Sequence, residues 1–286
     1  MKFTRKTLLE TLRRKNNGYT TYQARKVARV SVRRVNQVWE EYQRTGEIPE
    51  IGKNNGRPKR PLLDEEVAIV KQAYQLYRVS ASTLEKLIKR DYDKHIPHNH
   101  IHKILVKLGY AKQKDKKDIR KKNWIRYQRR HSLTAVHLDW YFDAFAEIWA
   151  LPVIDDASRK MLALVEEKSA TTDASIQAMK EAMKHGTIKQ CITDHGTQFI
   201  KSNGEARFNK FLVKNGIKHI LCRIKHPQSN GKSEKFNDLY KNHRHAFKTK
   251  EEFMNWYNGI RPHRSLKFNI LETPQQAFIR KFKAEV

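Results

Sequence analysis

Three acidic residues lie in sequence surroundings that suit a carboxylate cluster for metal-assisted chemistry. Asp139 falls within an alternating apolar run that predicts a strand, Asp194 ends another predicted strand, and Glu234 lies near the start of a predicted helix. Such a group can hold two divalent ions about 3.5–4 Å apart, one at the attacking oxygen and one at the leaving oxygen of a phosphodiester. Oxygen ligands favour Mg²⁺, with Mn²⁺ as the alternative. Each acid taken alone is more often a cap, a turn or a surface residue.

The net charge of the chain indicates a polyanionic partner. The 286 residues include 59 Lys and Arg against 30 Asp and Glu, which gives a formal charge of +29 and a pI near 10.1. Residues 1–135 hold 34 of the basic and 13 of the acidic residues, a net of +21, so residues 136–286 carry only +8. A ribosomal type of protein is the alternative, but the concentration of charge in one half favours a nucleic-acid-binding front end.

Residues 1–48 predict a first helical module. Thr20 or Thr21 and then Ser31 stand where helix caps are expected, so a short helix and a basic helix follow one another across a turn. This pattern is typical of a helix-turn-helix, whose second helix enters the major groove, and it also fits a plain three-helix bundle. We expect Arg33 and Arg34, at the start of the basic helix, to contact DNA.

Residues 49–61 form a linker in which proline and glycine exclude regular structure. The linker contains Arg57, Lys59 and Arg60, which we expect to contact DNA. An extended basic arm of this kind can enter the minor groove, where negative potential attracts arginine. The alternative is a solvated hinge without DNA contacts.

Residues 62–110 repeat the helical pattern and predict a second helix-turn-helix, which a basic connector at 111–133 follows. Four histidines lie near the start of its last helix: His95, His98, His100 and His102. They lack the cysteines and the firm spacing of a zinc site, so phosphate or base contacts are the better interpretation. We therefore expect His98, His100 and Lys103 to contact DNA.

From residue 134 the pattern changes to strands and helices. Strands are predicted at 136–142, 148–154, 161–165, 188–193 and 217–224, with helices at 172–185, 207–215 and from about 229. This order predicts an α/β domain over 134–250 with one central mixed sheet, and a helical tail over 251–286. Polar and apolar residues alternate in the first strand, so we expect it to be half-buried with Asp139 on its polar face.

The two cysteines and the apolar segments exclude several classes of protein. Cys191 and Cys222 are too few for a disulfide scaffold or a cysteine-based zinc site, and both lie in apolar runs that predict buried strand thiols. The N-terminus lacks the apolar run of a signal peptide, and no stretch of about 20 apolar residues could span a membrane. We expect a cytoplasmic, nucleoid-associated protein of a prokaryote with no membrane partner.

The motifs around the second and third acids resemble those of a known enzyme family. Asp-His-Gly-Thr-Gln-Phe (194–199) and His-Pro-Gln-Ser-Asn-Gly-Lys-Ser-Glu (226–234) are similar to the second and third motifs of the retroviral-integrase-like DDE transposases. Tail residues are similar to those of the insertion-sequence members: Tyr257-Asn258, Arg261-Pro262-His263, Leu266 and Thr273-Pro274. The 39 residues between Asp194 and Glu234 slightly exceed the usual interval, and a surface-loop insertion at 203–205 accounts for the difference.

The resemblance implies an RNase H-like catalytic core preceded by all-α helix-turn-helix domains. It implies a DNA transposase that cuts element ends and joins the freed 3′ end to target DNA. Asp139, Asp194 and Glu234 would then be both the catalytic residues and the ligands of two Mg²⁺ or Mn²⁺ ions. Asn230 and Lys232 adjoin the third acid and are candidates to hold DNA near the ions. The expected partner is double-stranded DNA, both element ends and target, and we expect a homo-oligomer on DNA.

Two other functions fit parts of the sequence. An RNase H-type nuclease would hydrolyse nucleic acid without joining it, and the long helical front end argues against this function. A non-catalytic helix-turn-helix regulator would need only the front end, and the three intact acids argue against it.

Overall fold

The structure, a computed structural model, describes residues 3–52, 60–112, 128–200, 206–222 and 231–282. For residues 231–234 it describes the backbone but not the side chains. The predicted DNA contacts Arg57, Lys59 and Asn230 lie outside the described residues, as does the loop insertion at 203–205. The chain divides into two units, residues 1–61 and 62–286. In the ranges described, no helix is long and apolar enough to cross a membrane.

The described part of residues 1–61 contains α1 (Arg5–Asn16), α2 (Thr21–Ala28) and α3 (Val32–Thr45). Each helix follows an extended hydroxyl residue whose side chain accepts a backbone N–H of the first turn: Thr4, Thr20 and Ser31. Apolar side chains of the three helices share one core: Leu8, Leu12, Ala24, Ala28, Val35 and Val38. Thr20 and Ser31 therefore cap α2 and α3, as the sequence predicted.

The first part of residues 62–286 is also helical, with α4 (Asp64–Tyr77), α5 (Ala81–Tyr92) and α6 (His98–Lys107). Acidic residues fill the first turn of α4, where they favour the positive end of the helix dipole. The three helices share one apolar core: Val70, Ala73, Leu84, Leu87, Ile88, Ile101, Ile104 and Leu105. Leu271, near the end of the chain, is buried in the same core.

A mixed sheet forms the centre of the remainder of this unit. Its strands are β1 (Val136–Leu138), β2 (Tyr141–Asp143), β3 (Ile148–Asp155), β4 (Met161–Glu167), β5 (Gln190–Thr193) and β6 (Lys218–Leu221). β3 pairs antiparallel with β1 and β2 along one edge and with β4 along the other. β5 is parallel to β1 and β6 is parallel to β5. The order across the sheet is therefore β4–β3–β1–β5–β6, with β2 continuing the line of β1.

Helices cover both faces of the sheet, and the α/β domain with one central mixed sheet agrees with the prediction from the order of elements. On one face α7 (Thr172–Met183), α8 (Arg207–Lys214) and α11 (Pro274–Lys281) share a core with the strands. On the other face lie α9 (Gly231–His243) and α10 (Lys250–Asn255). α10 continues into a π-helical turn, Trp256–Ile260, and a short 3₁₀ segment, Phe268–Ile270, precedes α11.

The structure corrects the prediction of one half-buried strand over residues 136–142. The strand is interrupted after Leu138, so Asp139 follows β1 and does not lie on a strand. β1 and β2 nevertheless keep a single register against β3. β1 is also buried on both faces, with His137 only 2% exposed, because it lies inside the sheet with helices above and below.

The register of β3 gives a physical reason for the interruption. The N–H of Asp156 donates to the Ala135 carbonyl at 2.9 Å, and hydrogen-bonded pairs alternate along an antiparallel ladder. Counting along the ladder places Pro152 opposite Asp139 in a hydrogen-bonded pair. Proline has no N–H, so it cannot donate the bond that would join Asp139 to β3, and the ladder opens at this point.

Candidate active site

Strands β1 and β5 bring Asp139 and Asp194 to the same edge of the sheet. The strands are parallel neighbours in which His137 pairs with Ile192. Each acid lies two residues beyond this pair, just after the carboxyl end of its strand. The carboxyl ends of parallel strands share one edge of a sheet, where the clefts of open α/β sheets form. The sheet therefore places the first two predicted acids at the same position along the strand direction, on neighbouring strands.

Cys222 lies near both carboxylates. Its N–H donates to the Thr193 carbonyl at 2.8 Å, which extends the contact between β6 and β5. Burial raises the pKa of the Cys222 thiol, and the negative charges of Asp139 and Asp194 raise it further. The thiol is therefore protonated at neutral pH. The prediction of a buried strand thiol is wrong here, since Cys222 follows β6 and is partly exposed, whereas Cys191 within β5 is buried.

The turn after β5 fixes the position of Asp194. Its Oδ1 accepts the N–H of Gly196 at 3.0 Å. The next side chain, His195, donates through Nε2 to the carbonyl of Cys222 at 2.8 Å, and this bond ties the turn to the end of β6. The hydroxyl of Thr193 donates to the carbonyl of Asp194 at 2.9 Å. Local hydrogen bonds thus order both the backbone and the carboxylate of this acid.

Helix α9 brings a further polar group to Asp139. The Nδ2 of Asn237 donates to Oδ2 of Asp139 at 3.3 Å, and Asp139 is only 8% exposed. The Oδ1 of Asn237 is buried and accepts no hydrogen bond from the described residues. Glu234 lies three positions earlier on α9, and residues three apart share one face of a helix. The side chains of Glu234 and Lys232 lie outside the described residues.

Sequence reasoning missed Asn237. The available signal was its spacing of three residues from Glu234 on one predicted helix, which is the spacing of neighbours on a helix surface. An asparagine at that spacing is common on solvated helices, so the signal becomes specific only once Asp139 is known to face it.

Aromatic packing and a half-buried ion pair hold α9 on the sheet. Phe236 and Tyr240 are buried against β3 and β4 in one cluster with α10. The Tyr240 hydroxyl donates to Oε1 of Glu166 at 2.8 Å. Arg244, just beyond the helix, donates to both oxygens of Glu166 at 2.7 and 3.0 Å. These contacts position the helix that carries Asn237 and Glu234.

Asp155 and Asp156 begin a turn away from this edge. Asp155 pairs with Val136, at the beginning of β1, and accepts bonds from the Ser158 N–H and hydroxyl. Burial raises the pKa of Asp155. Asp156 lies 2.7 Å from Nε2 of His137. Both carboxylates are therefore engaged in the fold.

The donor groups at the sheet edge fit a divalent cation. Two carboxylates lie beside a protonated thiol, and Oδ1 of Asn237 is a further oxygen buried next to Asp139. Oxygen donors of this kind suit Mg²⁺ or Mn²⁺. Among the side chains that the structure describes, no three His, Cys, Asp or Glu are placed to hold a metal, and Glu234 is not among those side chains.

The predicted DNA contacts in the helical segments differ in exposure. Arg33 and Arg34 are exposed on the first turn of α3, and Arg60 is exposed at the end of its unit. On α6, Lys103 and His98 are exposed, and Nδ1 of His98 lies 3.0 Å from a Glu85 oxygen. These basic side chains are at the surface of their own units.

His100 lies in a different environment from its neighbours on α6. It is only 5% exposed, and its Nε2 lies 2.9 Å from Oε2 of Glu66 on α4. The ring therefore contributes to the core of α4–α6 and presents little surface for a DNA contact. The sequence did not distinguish His100 from His98 and His102, because residues two positions apart on a helix lie on different sides of it.

Comparisons with known proteins support an integrase relationship. Residues 129–227 match the family model of the integrase core domain. An uncharacterized protein of Archaeoglobus fulgidus is 29% identical over 96 residues, which are 34% of this chain and 78% of that protein. The Spiroplasma virus SpV1-C74 protein named "Putative integrase ORF3" is 29% identical over 154 residues, 44% of this chain. This match spans 41% of the viral protein's own length.

A solved structure of a simian T-cell lymphotropic virus intasome, in complex with PP2A regulatory subunit B56 gamma, also aligns with the chain. The alignment covers 73% of this chain and 74% of the other, at 13% sequence identity and a TM-score of 0.44.

The matched segment contains Asp139 and Asp194 and ends before Glu234. Integrase core domains have an RNase H-like fold, in agreement with the mixed sheet and its flanking helices. At the family level they carry out polynucleotidyl transfer in recombination, bind DNA and normally use divalent metals. Residues 129–227 thus match the integrase core domain, and this similarity supports a relationship of the segment to the integrase- and transposase-like DDE family.

Proposed function

We propose that the chain is a DNA transposase that cuts element ends and joins the freed 3′ end to target DNA. The observation that carries this proposal is the placement of Asp139 and Asp194, each two residues beyond a paired position of adjacent parallel strands, within the integrase core domain. Glu234 would be the third acid, because it lies one helical turn before the residue that contacts Asp139.

The proposed site residues have separate roles. Asp139, Asp194 and Glu234 would hold two Mg²⁺ or Mn²⁺ ions. When bound, the ions supply Lewis-acid polarisation of the phosphate and activation of the attacking oxygen. Asn237 orients the Asp139 carboxylate, and the N–H of Gly196 orients that of Asp194. Fixed carboxylates keep the reacting groups aligned, which is a main source of rate enhancement in such reactions.

The reaction would proceed in two displacements. First, a water oxygen bonds to phosphorus at the element end, the bond from phosphorus to the 3′ oxygen breaks, and a 3′-hydroxyl is left. Second, that 3′ oxygen bonds to phosphorus in the target and displaces a target 3′ oxygen. The second step exchanges one phosphodiester for another, so it needs no external energy source.

The basic segments would provide the DNA contacts. We propose helix-turn-helix domains at 1–48 and 62–110, in which α3 with Arg33 and Arg34 and α6 with His98 and Lys103 face the major groove. A basic linker over 49–61 would include Arg57, Lys59 and Arg60, and a connector would extend over 111–133. The catalytic core would cover 134–250, followed by the tail at 251–286, with Asn230 and Lys232 near the scissile phosphate.

Substitution of single acids tests the catalytic assignment. Duplexes that the full chain selects from a random-sequence pool are end-labelled and incubated with a plasmid target and Mg²⁺ or Mn²⁺. We expect Asp139→Asn, Asp194→Asn and Glu234→Gln each to lose cutting and joining while duplex binding remains. Asp238→Asn is the matched control, since it neutralises an exposed carboxylate one turn after Glu234 on α9. Normal joining by the Asp194→Asn protein would refute the assignment.

The products separate the transposase from its two alternatives. Joined plasmid and duplex indicate a transposase, whereas cut duplex without joined product indicates a nuclease of the RNase H type. Binding without either product indicates a regulator. The test therefore distinguishes three functions that share the same DNA-binding front end.

A further inference from the structure

The tail after α10 is attached to the catalytic sheet by its side chains. The amide of Asn258 accepts the N–H of Met161 and donates to the Met161 carbonyl, both at 2.9 Å, so it pairs with the first residue of β4 as a strand would. The hydroxyl of Tyr257 donates to the carbonyl of Arg159 at 3.0 Å. The π-helical turn Trp256–Ile260 is thereby fixed on the β3–β4 hairpin.

The same turn contacts the end of α4. The indole N–H of Trp256 donates to the carbonyl of Leu76 at 3.2 Å. Just after that helix, the guanidinium of Arg78 lies 5.6 Å over the ring of Phe247. Trp256 is also buried in the aromatic cluster under α9, with Phe236, Tyr240, Phe253 and Tyr257. One side chain therefore touches both the first helices of this unit and the helix that carries Glu234.

The segment before α11 makes a second contact with these helices. Leu271 is 7% exposed and lies in the apolar core of α4–α6, with Phe268 packed against that core. The ammonium of Lys86 on α5 lies 4.7 Å over the ring of Phe268. Leu271 has a φ of 55°, which turns the chain sharply and sends it back toward α11.

Glu272 stabilises the backbone next to this second contact. Its buried carboxylate, 2% exposed, accepts two bonds from Arg280 on α11 at 2.6 and 2.9 Å, and one from the N–H of Lys267 at 3.0 Å. The N–H of His263 donates to the backbone carbonyl of Glu272 at 3.0 Å. α11 in turn packs on the sheet through Phe278. The segment that enters the core of α4–α6 is thus itself tied to the catalytic core.

We propose that residues 256–272, here called the clamp, hold α4–α6 and the catalytic sheet as one rigid body. A single covalent connection between two parts of a chain leaves their relative orientation free, whereas two separated contacts fix that orientation. The clamp would then set a constant distance between the DNA that α6 contacts and the phosphate that is cut. The rigid coupling follows from the contacts alone, whereas the constant distance rests on the proposed transposase function. The clamp contains most of the tail-motif residues, which have no role in the proposed catalytic cluster.

Distance measurement by pulsed electron paramagnetic resonance tests the rigid coupling in the full chain. Nitroxide labels are placed at Lys107→Cys on α6 and Lys180→Cys on α7, both exposed, with Cys222→Ser to avoid a third label. We expect one narrow distance distribution. It should broaden in Phe268→Ala and in the milder Trp256→Phe, which removes the bond to Leu76 and keeps an aromatic ring. Ile279→Ala, an exposed apolar truncation on α11, should leave it narrow. Narrow distributions in both clamp variants would overturn the proposal.

Mapping of the cut position tests the consequence for DNA. The full chain with intact Cys222 is given labelled duplexes that it has selected from a random-sequence pool, and the nicks are mapped to single nucleotides. We expect one cut position for the unaltered chain and for Ile279→Ala, and cuts spread over neighbouring phosphates for the clamp variants. A single cut position in a variant with a broadened distance would refute the role in spacing. If the unaltered chain cuts none of these duplexes, the transposase proposal fails, and the distance measurement still decides the coupling.

Discussion

The side-chain amide of Asn237 lies 3.3 Å from a carboxylate oxygen of Asp139, although 98 positions separate them in the sequence. The contact joins the end of β1 to helix α9, which carries Glu234 one turn earlier. It therefore connects the elements that supply the first and third acids. A shift of α9 along its axis would break this bond, so the bond also defines the position of the helix.

Replacement of Asn237 by Ala should slow cutting by about 10–100-fold, the usual loss when a partner of a metal ligand is removed. Asp139 would keep its charge but lose the donor that fixes its rotamer. Because the loss acts through the metal, more Mn²⁺ should be needed for half-maximal rate. Asn242→Ala, on the same helix and away from Asp139, is the control. An unchanged Mn²⁺ requirement in Asn237→Ala would show that the contact does not orient Asp139.

Replacement of Pro152 by Ala should lower the cutting rate with a modest loss of stability. Alanine supplies an N–H opposite Asp139, so the ladder can close and draw the acid into the strand. The new bond contributes about 0.5–1.5 kcal/mol, which nearly offsets the roughly 0.4–1 kcal/mol lost with proline rigidity. Removal of the buried ring carbons of Pro152 costs about 0.8 kcal/mol for each CH₂, so we expect a net loss of about 1–2 kcal/mol. Cutting rates and urea unfolding measure the two effects. Pro61→Ala, at an exposed position, controls for proline loss. An undiminished rate would mean that the open ladder is not needed.

Local patterns predicted most of the fold. Alternating and helix-spaced apolar residues gave the order of strands and helices, and hydroxyl residues such as Thr20 and Ser31 marked helix starts. The turn at Asp155 is likewise a local feature, since Asp155 accepts the N–H of Ser158 three positions later. Such features depend on residues that are close in sequence, so a single sequence is enough to predict them.

Features that depend on pairing across the fold were not predictable. The break at Asp139 requires the register that places Pro152 opposite it. The burial of His100 requires Glu66 on another helix, and that of Leu271 requires a tail that returns to α4–α6, which precede the sheet in the chain. Periodicity within one segment carries no information on these partners.

Acid should destabilise residues 62–286 through two half-buried histidines. Burial, then the charges of Arg261, Arg78 and His245, lower the pKa of His243 from its ordinary 6.5 to about 4. Burial and neighbouring arginines lower the pKa of His263 to about 3. Above pH 6.5 both rings are neutral in the folded and unfolded chains, so this part of the stability is fully present. As pH falls toward 4, the unfolded chain takes up protons that the folded chain excludes.

Each histidine should therefore remove about 1.4 kcal/mol of stability per pH unit between roughly pH 6.5 and its folded pKa. The measurement is urea unfolding at several pH values. His243→Phe keeps a ring beside Trp256 but cannot titrate. Between pH 6 and 4.5 the unfolding free energy of this variant should therefore fall by about 1.4 kcal/mol less per pH unit than that of the unaltered chain. His245→Phe, exposed nearby, should retain nearly the full slope. Equal slopes in His243→Phe and the unaltered chain would contradict the role of His243.

Replacement of Arg244 by Lys should loosen α9 although the charge is kept. Lysine cannot form the two parallel bonds to Glu166, so we expect a loss of about 1–3 kcal/mol in unfolding free energy. Cutting should slow because α9 carries Glu234 and Asn237. Lys241→Ala, an exposed cation of the same helix, should change neither quantity. Full stability in Arg244→Lys would show that charge alone, without the paired geometry, holds the helix.

Lys103 and His100 should respond oppositely to substitution, although both lie on α6. Lys103 is exposed, so Lys103→Ala should weaken binding about equally for all duplexes and reduce the salt slope of binding by about 1, as for one lost phosphate contact. His100 is buried against Glu66, so His100→Ala should lower the unfolding free energy by about 1–3 kcal/mol. Its affinity per folded molecule should stay close to that of the unaltered chain. Salt titrations on duplexes selected by the full chain, corrected for the folded fraction, separate the two effects. A reduced salt slope in His100→Ala, with unchanged stability, would show that its ring leaves the core and contacts DNA.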